Sequence, residues 1–439
     1  MEGNTRNTQS PKPLASTSTR RSWTRRKFLG ATAGTLAAAG VAARAQSAAK
    51  PGRILGANDR IRMGIIGSGG MGRYHVVSML DNFKDVEFIA ICDVSEAARN
   101  EAAKLAADRG STNCKLFNEH EKLLEMKEID GVVIGSPDHW HARHLIDTVN
   151  AGKDAYCEKP MSWSIEQGLE MIKAVRATDR IVQIGMQRRS TPPVMEAKKI
   201  IDSGFLGEVS LVRAQWYWHM QETLDPAAVK VNGKVDWDRF QAPVPPEKRR
   251  PFDPVRYARW RYFWDYSGGN MTDQGTHLMD VIQWFFNDSK PPLAAQEAGE
   301  VYQLKGYETP DTFCAIFEYP KFMATWTLTY TNNWTNGWSI IVHGSKGSLE
   351  LDDFGARFLD NNHWIPDWRT KAPPPKHEIK GGLRVDLHEK NFFDCMRSRK
   401  EPNAPVEIGH QAVTALHLAN AAHHARRRVT LDPQTYKVS

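Results

Sequence analysis

The sequence has few cysteines and no cysteine pattern. Its five cysteines, at positions 92, 114, 157, 314 and 395, form no CxxC pair and are odd in number. That excludes a disulfide framework and a zinc ribbon or finger. Cys92 and Cys157 end apolar runs, where buried, inert thiols are common. Long apolar runs are also missing. Beyond the N-terminal segment none approaches the roughly 20 residues of a membrane span, so no stable membrane insertion is expected. Internal repeats are absent, which excludes solenoids and propellers. The body of the chain has no excess of either charge sign. The formal charge of +7 arises in residues 1–45, where Arg6, Lys12, Arg20, Arg21, Arg25, Arg26, Lys27 and Arg44 face only Glu2. The rest carries equal numbers of basic and acidic side chains. A nucleic-acid partner needs a basic face on the folded part, so none is expected.

A length of 439 residues predicts two domains plus extras. The N-terminus reads as an address. Thr24-Arg25-Arg26-Lys27-Phe28-Leu29 precedes an Ala/Gly-rich run from Gly30 to Ala43, and Ala43-Arg44-Ala45 forms an A-x-A cleavage signature. The twin arginines resemble a twin-arginine (Tat) export signal. The expectation is a signal peptide over 1–45, cleaved near Ala45, and a linker over 46–59. The Tat translocase is then a transient partner, and the mature protein is periplasmic or extracellular. Tat substrates leave already folded, which suits an enzyme that takes up a nucleotide cofactor beforehand and holds it tightly.

From Arg60 the pattern changes. The apolar run Ile61–Ile66 leads into Gly67-Ser68-Gly69-Gly70-Met71-Gly72, and Tyr74–Leu80 reads as a helix. This is G-x-G-x-x-G between strand and helix. Gly67 permits the tight turn, Gly69 lets the backbone approach a pyrophosphate, and Gly72 allows close helix packing. A second strand, Val86–Cys92, ends in Asp93, 21 residues after Gly72. That spacing suits a ribose-hydroxyl ligand and favours NAD, with NADP the alternative. Asp93 as a cap of the following helix is the competing reading. Strands and helices then alternate through Gly131–Gly135, Asp154–Cys157 and Ile181–Gly185. The alternation predicts a doubly wound parallel sheet over 60–187. Its ligand edge carries the glycine loop, Ser136–His141, and Glu158-Lys159-Pro160.

Gly135-Ser136-Pro137-Asp138-His139-Trp140-His141 and Ala151-Gly152-Lys153…Cys157-Glu158-Lys159-Pro160 resemble signatures of the glucose–fructose oxidoreductase/inositol dehydrogenase (Gfo/Idh/MocA) family. Gly268-Gly269-Asn270-Met271-Thr272-Asp273-Gln274-Gly275-Thr276-His277 is similar to that family's second signature. The resemblance runs from about Arg60 to the C-terminus. It implies an α/β fold: an N-terminal Rossmann sheet plus a C-terminal α+β domain (188–439) with a large open, mostly antiparallel sheet. It also implies a carbohydrate substrate and a homodimer or homotetramer. Gly67, Gly69, Gly70, Met71, Gly72, Asp93, Ser136, Pro137, His141, Glu158 and Lys159 are the expected cofactor-binding residues. Strands read at Val209–Ala214, Thr312–Phe317, Met323–Tyr330 and Trp338–His343 agree with the second sheet, and Ile408–Arg426 reads as a closing helix. Pro243–Pro254 and Asn361–Lys380 read as loops.

Oxidising an alcohol needs a hydride acceptor, a base, and a donor for the developing alkoxide. The Lys159 ammonium can donate to the reacting oxygen, and a desolvated lysine can also take up a proton. One helix is expected over Met271–Phe286, placing Asp273 and His277 on one face. His277 is the expected base, with Asp273 orienting it. Asp280 continues that face, but a metal site lacks a fourth ligand, so none is expected. The roles of His139, Trp140, Gln187, Arg188, Trp216–His219 and Arg259–Trp264 stay open between cleft lining and core. Export leaves little free NAD to renew the cofactor, so two enzymatic readings stand: a sugar or polyol dehydrogenase, or a redox-neutral glycoside hydrolase or lyase acting through a transient keto-sugar. A non-catalytic carbohydrate-binding protein is the third reading.

Overall fold

The computed structural model describes residues 56, 59–332, 337–360 and 374–439. The expected signal peptide, nearly all of the expected linker and most of 361–380 lie outside them.

The first sheet contains β1 (Ile61–Ile66), β2 (Val86–Cys92), β3 (Lys115–Phe117), β4 (Gly131–Ile134), β5 (Asp154–Cys157) and β6 (Val182–Ile184). All neighbours pair in parallel, in the order β3-β2-β1-β4-β5-β6. The near-continuous burial of β1, β4 and β5 is what a sheet covered on both faces demands. The covering helices are α1 (Gly70–Asn82), α2 (Glu96–Ala107), α3 (His120–Leu124), α4 (Asp138–Asn150) and α5 (Ile165–Arg176). Ser95 and Ser164 cap α2 and α5, each accepting a main-chain amide on its side chain. Helix α4 begins three residues before His141. His139, Trp140 and His141 are therefore buried helical residues, where the sequence suggested a turn.

The second domain contains α6 (Pro192–Asp202), β7 (Val209–Tyr217), α7 (Trp237–Phe240), α8 (Pro254–Ala258), α9 (Gly269–Asp273) and α10 (Gly275–Phe286). Then come β8 (Ala294–Glu300), β9 (Thr312–Glu318), β10 (Met323–Thr329), β11 (Gly337–Gly344), β12 (Gly347–Asp352), β13 (Gly355–Asp360) and β14 (His377–Lys380). The chain closes with α11 (Val385–Ser398), α12 (Val406–Ala425) and β15 (Val429–Thr430). The nine strands order as β14-β13-β12-β11-β7-β10-β9-β8-β15. Only the β7–β10 pair is parallel. Strand burial alternates: Ala324, Trp326 and Leu328 point into a core with residues of α10 and α12, while Ile316 and Met323 are exposed on the other face.

Two departures from the sequence pattern matter. The single helix expected over Met271–Phe286 is broken into α9 and α10 at Gln274. A Cβ on the next residue, Gly275, would meet Leu416 Cδ2 at 2.6 Å and Trp326 Nε1 at 2.9 Å, so only glycine fits there. The second departure is α11, which packs on the first sheet although it follows the second. Phe392, Phe393 and Met396 join a core with Met63, Phe88 and Tyr156, and Arg399 pairs with Asp154 of β5 at 2.6 Å.

Phe392 is fully buried. Phe392→Ala should lower unfolding free energy by about 3–5 kcal/mol. Urea denaturation of the purified protein checks this, and a loss under about 1 kcal/mol would detach α11 from that core.

Candidate active site

The glycine loop is shaped by close contacts on one side and openness on the other. A Cβ on Gly72 would stand 2.1 Å from the Gly67 carbonyl oxygen. Gly67 has a φ of 87°, and its Cβ would strike Ser136. Gly69 and Gly70 face open space. No side chain caps α1, and the amides of Gly70, Met71 and Gly72 precede its first main-chain bond, Arg73 N to Gly69 O at 2.9 Å, at the edge of that space. The adjoining cleft is lined by Gly67, Cys92, Asp93, Ser136 and Pro137 from the first domain, and by Arg239 and Phe240. This cradle fits a dinucleotide: the amides and helix terminus would hold the pyrophosphate, and Asp93 would meet the adjacent ribose. Asp93 also works within the protein, accepting from Ser68 N at 2.7 Å and Ser95 N at 2.8 Å. It thus fastens the glycine loop to the start of α2.

A strap from the second domain crosses this edge. Ser95 bridges Val235, Asp236 N donates to Val94 O at 3.0 Å, and Glu96 N donates to Lys234 O at 3.0 Å. Asn118 Nδ2 donates to Asp236 Oδ2 at 2.7 Å, and Arg239 lies 3.1 Å from Glu121. The rings of His139 and Trp140 each reach the Phe240 carbonyl at 2.7 Å. These two aromatics therefore anchor the strap.

At the carboxyl end of β5 stands the candidate catalytic cluster. Lys159 Nζ donates to Asp273 Oδ1 at 2.7 Å and to the Asp273 carbonyl at 3.0 Å. Arg261 Nε lies 3.4 Å from the same Oδ1. Burial opposes ionisation of Asp273, but Lys159 and Arg261 outweigh it and hold the carboxyl well below its usual range. Asp273 is thus the counterion of Lys159. The expected orienting bond from Asp273 to His277 does not form, since two cations claim the carboxylate. The His277 ring makes no hydrogen bond to the described residues; the Trp216 ring lies 6.1 Å away. Burial, together with the Lys159 and Arg188 charges, holds His277 well below its ordinary value, so it is neutral and able to accept a proton. Asp280, the proposed continuation of this face, pairs instead with Arg189 at 2.8 Å.

Glu158 and His141, expected near the cofactor, support the Glu158–Pro160 turn. His75 Nε2 donates to Glu158 at 2.8 Å and Nδ1 to Glu389 of α11 at 2.7 Å. Burial works against protonation of His75, but the two carboxylates prevail and raise it to about 9. The His141 ring nitrogens lie 2.8 Å from the Pro160 carbonyl and 2.7 Å from that of Ser136. The Ser136 hydroxyl contacts His144 at 2.9 Å. Met71 is a partly buried residue of α1, and Pro137 is the residue before α4.

Asp138 lies beside the cluster and was not singled out from the sequence, where it stood in an expected turn with nothing local to mark its burial. It is 1% exposed and accepts from Ser267 Oγ at 2.6 Å. Burial and the nearby Asp273 charge raise it to about 7. Arg261 was placed in an aromatic run without a role, and nothing local marked it as the second cation on Asp273.

A glycine cradle beside a buried lysine–carboxylate pair and a neutral histidine defines the class: an oxidoreductase fold with a nicotinamide-dinucleotide site. Sequence profiles agree. The NAD-binding Rossmann domain of the Gfo/Idh/MocA oxidoreductase family matches residues 61–186, and its C-terminal alpha/beta domain matches 246–431. Inositol 2-dehydrogenase of Rhizobium meliloti is 31% identical over 82% of this chain and 96% of that enzyme. The chain belongs to the Gfo/Idh/MocA family. Other curated relatives match over less of their length; the Salmonella typhimurium inositol 2-dehydrogenase is 31% identical over 36% of this chain, which spans about half (46%) of that enzyme. Among solved structures, the Bordetella pertussis WlbA dehydrogenase in complex with NADH and UDP-GlcNAcA superposes with a TM-score of 0.65 at 20% identity, over 85% of this chain and 99% of that one. Levoglucosan dehydrogenase with NADH and levoglucosan gives 0.64 at 18% identity, over 84% and 99%. These two establish the fold.

Asp138 yields a pH prediction. Its folded pKa lies near 7 against 3.8 unfolded. The folded state therefore binds the extra proton, and the wild type loses stability as pH rises across that window. Asp138→Asn keeps the neutral form and the Ser267 bond. The variant should gain stability relative to wild type between pH 3.8 and about 7, read from urea midpoints; a constant difference would contradict the assignment. The strap yields a second prediction. Arg239→Ala should release bound dinucleotide roughly tenfold faster, the equivalent of about 1.4 kcal/mol. Stopped-flow nicotinamide fluorescence measures the rate, and an unchanged rate would separate the strap from cofactor retention.

Proposed function

We propose that this protein is an exported, NAD-dependent dehydrogenase that oxidises a secondary hydroxyl of a sugar or polyol, or reduces the corresponding ketone, and retains its cofactor. The observation that carries this reading is the pairing of Lys159 with Asp273 beside a neutral His277, at the sheet edge that bears the glycine cradle. Bound NAD supplies the acceptor for the hydride leaving the carbinol carbon. His277 takes the hydroxyl proton, since its ring is neutral and free of other hydrogen bonds among the described residues. The Lys159 ammonium donates to the oxygen as it becomes alkoxide-like. Asp273 and Arg261 fix that ammonium in place, and the His75–Glu158–Glu389 network holds the turn that carries it. The names of the relatives support the substrate class: inositol 2-dehydrogenases among the sequences and levoglucosan dehydrogenase among the structures.

Asp93 supports NAD over NADP, because a carboxylate there repels a 2′-phosphate. The twin arginines Arg25 and Arg26 and the Ala43–Ala45 cleavage signature support export by the Tat route to the periplasm or beyond. The strap supports cofactor retention through that passage. The exposed Ile316 and Met323 on the open sheet face support a homodimer or homotetramer.

The test uses protein exported through its own signal. Denaturing it should release NAD(H) in near-stoichiometric amount. Lys159→Ala should keep the nucleotide and lose turnover by about a hundredfold or more, the scale of a lost alkoxide donor. Absence of bound nucleotide, with no uptake of added NAD or NADP, would sink the oxidoreductase reading. Turnover of a glycoside bond with no net reduction of NAD would shift it to redox-neutral hydrolysis or elimination.

A further inference from the structure

Two cations act on His277, Lys159 and Arg188, and they are compensated unequally. Lys159 and Arg261 share the Asp273 carboxylate. Arg188 is the less compensated one. It sits in the short turn Gln187–Ser190 after β6, and is 5% exposed. Its guanidinium carbon lies over the Trp338 ring, 3.5 Å from the centroid. Its Nε is buried with no hydrogen-bond partner. The nearest acid among the described residues is Asp353, 3.6 Å away with a half-exposed side chain, and Asp353 Oδ1 already accepts from Trp338 Nε1.

The surroundings of Arg188 lead back to the catalytic histidine. Trp338 stands opposite Trp216 across the β11–β7 ladder, and the Trp216 ring contacts His277. Trp216 Nε1 is likewise buried without a partner. The free groups on this side of His277 are therefore donors, one of them charged. A buried cation left without a full partner is costly. Incomplete compensation shows in Arg188 itself: burial, weakly offset by Asp353, draws it down to about 10. A neutral hydroxyl would leave that charge unbalanced. A carboxylate would complete it, because the planar guanidinium fork matches two carboxylate oxygens. One partly compensated guanidinium suits a single carboxylate better than a phosphate dianion.

We propose that Arg188 is the anion anchor of the substrate site, and that the substrate is a sugar acid of the aldonate or uronate class, its carboxylate seated on Arg188 while a hydroxyl reaches His277 and Lys159. This deepens the dehydrogenase reading and rests on it.

The experiment follows the nicotinamide absorbance of the full exported protein carrying its cofactor. D-Galacturonate, D-glucuronate and D-gluconate are compared with D-galactose, D-glucose and myo-inositol, and D-glucose 6-phosphate probes the phosphate. At least one acid should exceed its neutral counterpart in kcat/KM by about tenfold or more. Arg188→Met should reduce that acid-over-neutral ratio by about tenfold to a hundredfold, chiefly through the KM of the acid. Arg188→Lys should restore part of it, keeping the charge without the fork. If Arg188→Met does not fold, the wild type decides: the KM of the acid rises with ionic strength and that of the neutral sugar does not. Selective use of neutral sugars or of the phosphate ester overturns the anchor and leaves the dehydrogenase reading standing. Equal losses for both substrate classes in Arg188→Met also overturn it, and make Arg188 a structural residue. Protein that neither holds nor takes up nucleotide overturns both readings together.

Discussion

The site depends on one buried ion pair, Lys159 with Asp273. The lysine leaves the carboxyl end of the first domain's β5, and the aspartate ends α9 of the second. Neither charge is well exposed, so each needs the other: removing one partner of such a pair costs about 3–5 kcal/mol, because it strands the other in a poor solvent. The pair therefore ties the domain that bears the dinucleotide cradle to the segment that bears His277. It also explains why Asp273 does not orient His277. A carboxylate held by an ammonium and a guanidinium gains nothing from a neutral imidazole.

Behind the pair lies a second shell of buried charge. Protonated His75 joins Glu158, next to the catalytic lysine, to Glu389 on α11. The C-terminal part of the chain thus reaches under the nucleotide-binding sheet and braces the turn that carries Lys159. His141 braces the same turn from the other side through the Pro160 carbonyl. Rigid backing suits a group that must meet developing negative charge without reorganising. Arg188 and His277 are less fully tied: Arg188 has only the half-exposed Asp353 as its acid and leaves Nε without a partner, and the His277 ring makes no hydrogen bond to the described residues.

Much of the first domain was legible because its constraints are local. Gly67 and Gly72 tolerate no Cβ, and each stands at a fixed offset from strand and helix. The second sheet was legible where β-branched and aromatic residues alternate, as in β10 and β11. It was not legible in β8, whose Ala-Ala-Gln-Glu-Ala-Gly-Glu sequence has little strand propensity and is held by its ladder to β9. The break between α9 and α10 was hidden for a related reason. The apolar period runs through it, and only contacts from Leu416 and Trp326, distant in sequence, demand the glycine.

The sequence by itself determined the class of fold and the nucleotide cradle, and its short motifs set Lys159, Asp273 and His277 apart as candidate site residues. Only the tertiary structure decided who bonds to whom. It gave Asp273 to Lys159 and Arg261, gave Glu158 and His141 partners that brace the Lys159 turn, placed α11 beneath the first sheet and left Arg188 only a half-exposed acid. Those outcomes follow from competition among charges brought together from distant parts of the chain, in surroundings where burial makes each unpaired group expensive. A linear pattern records the competitors, and folding decides the pairing.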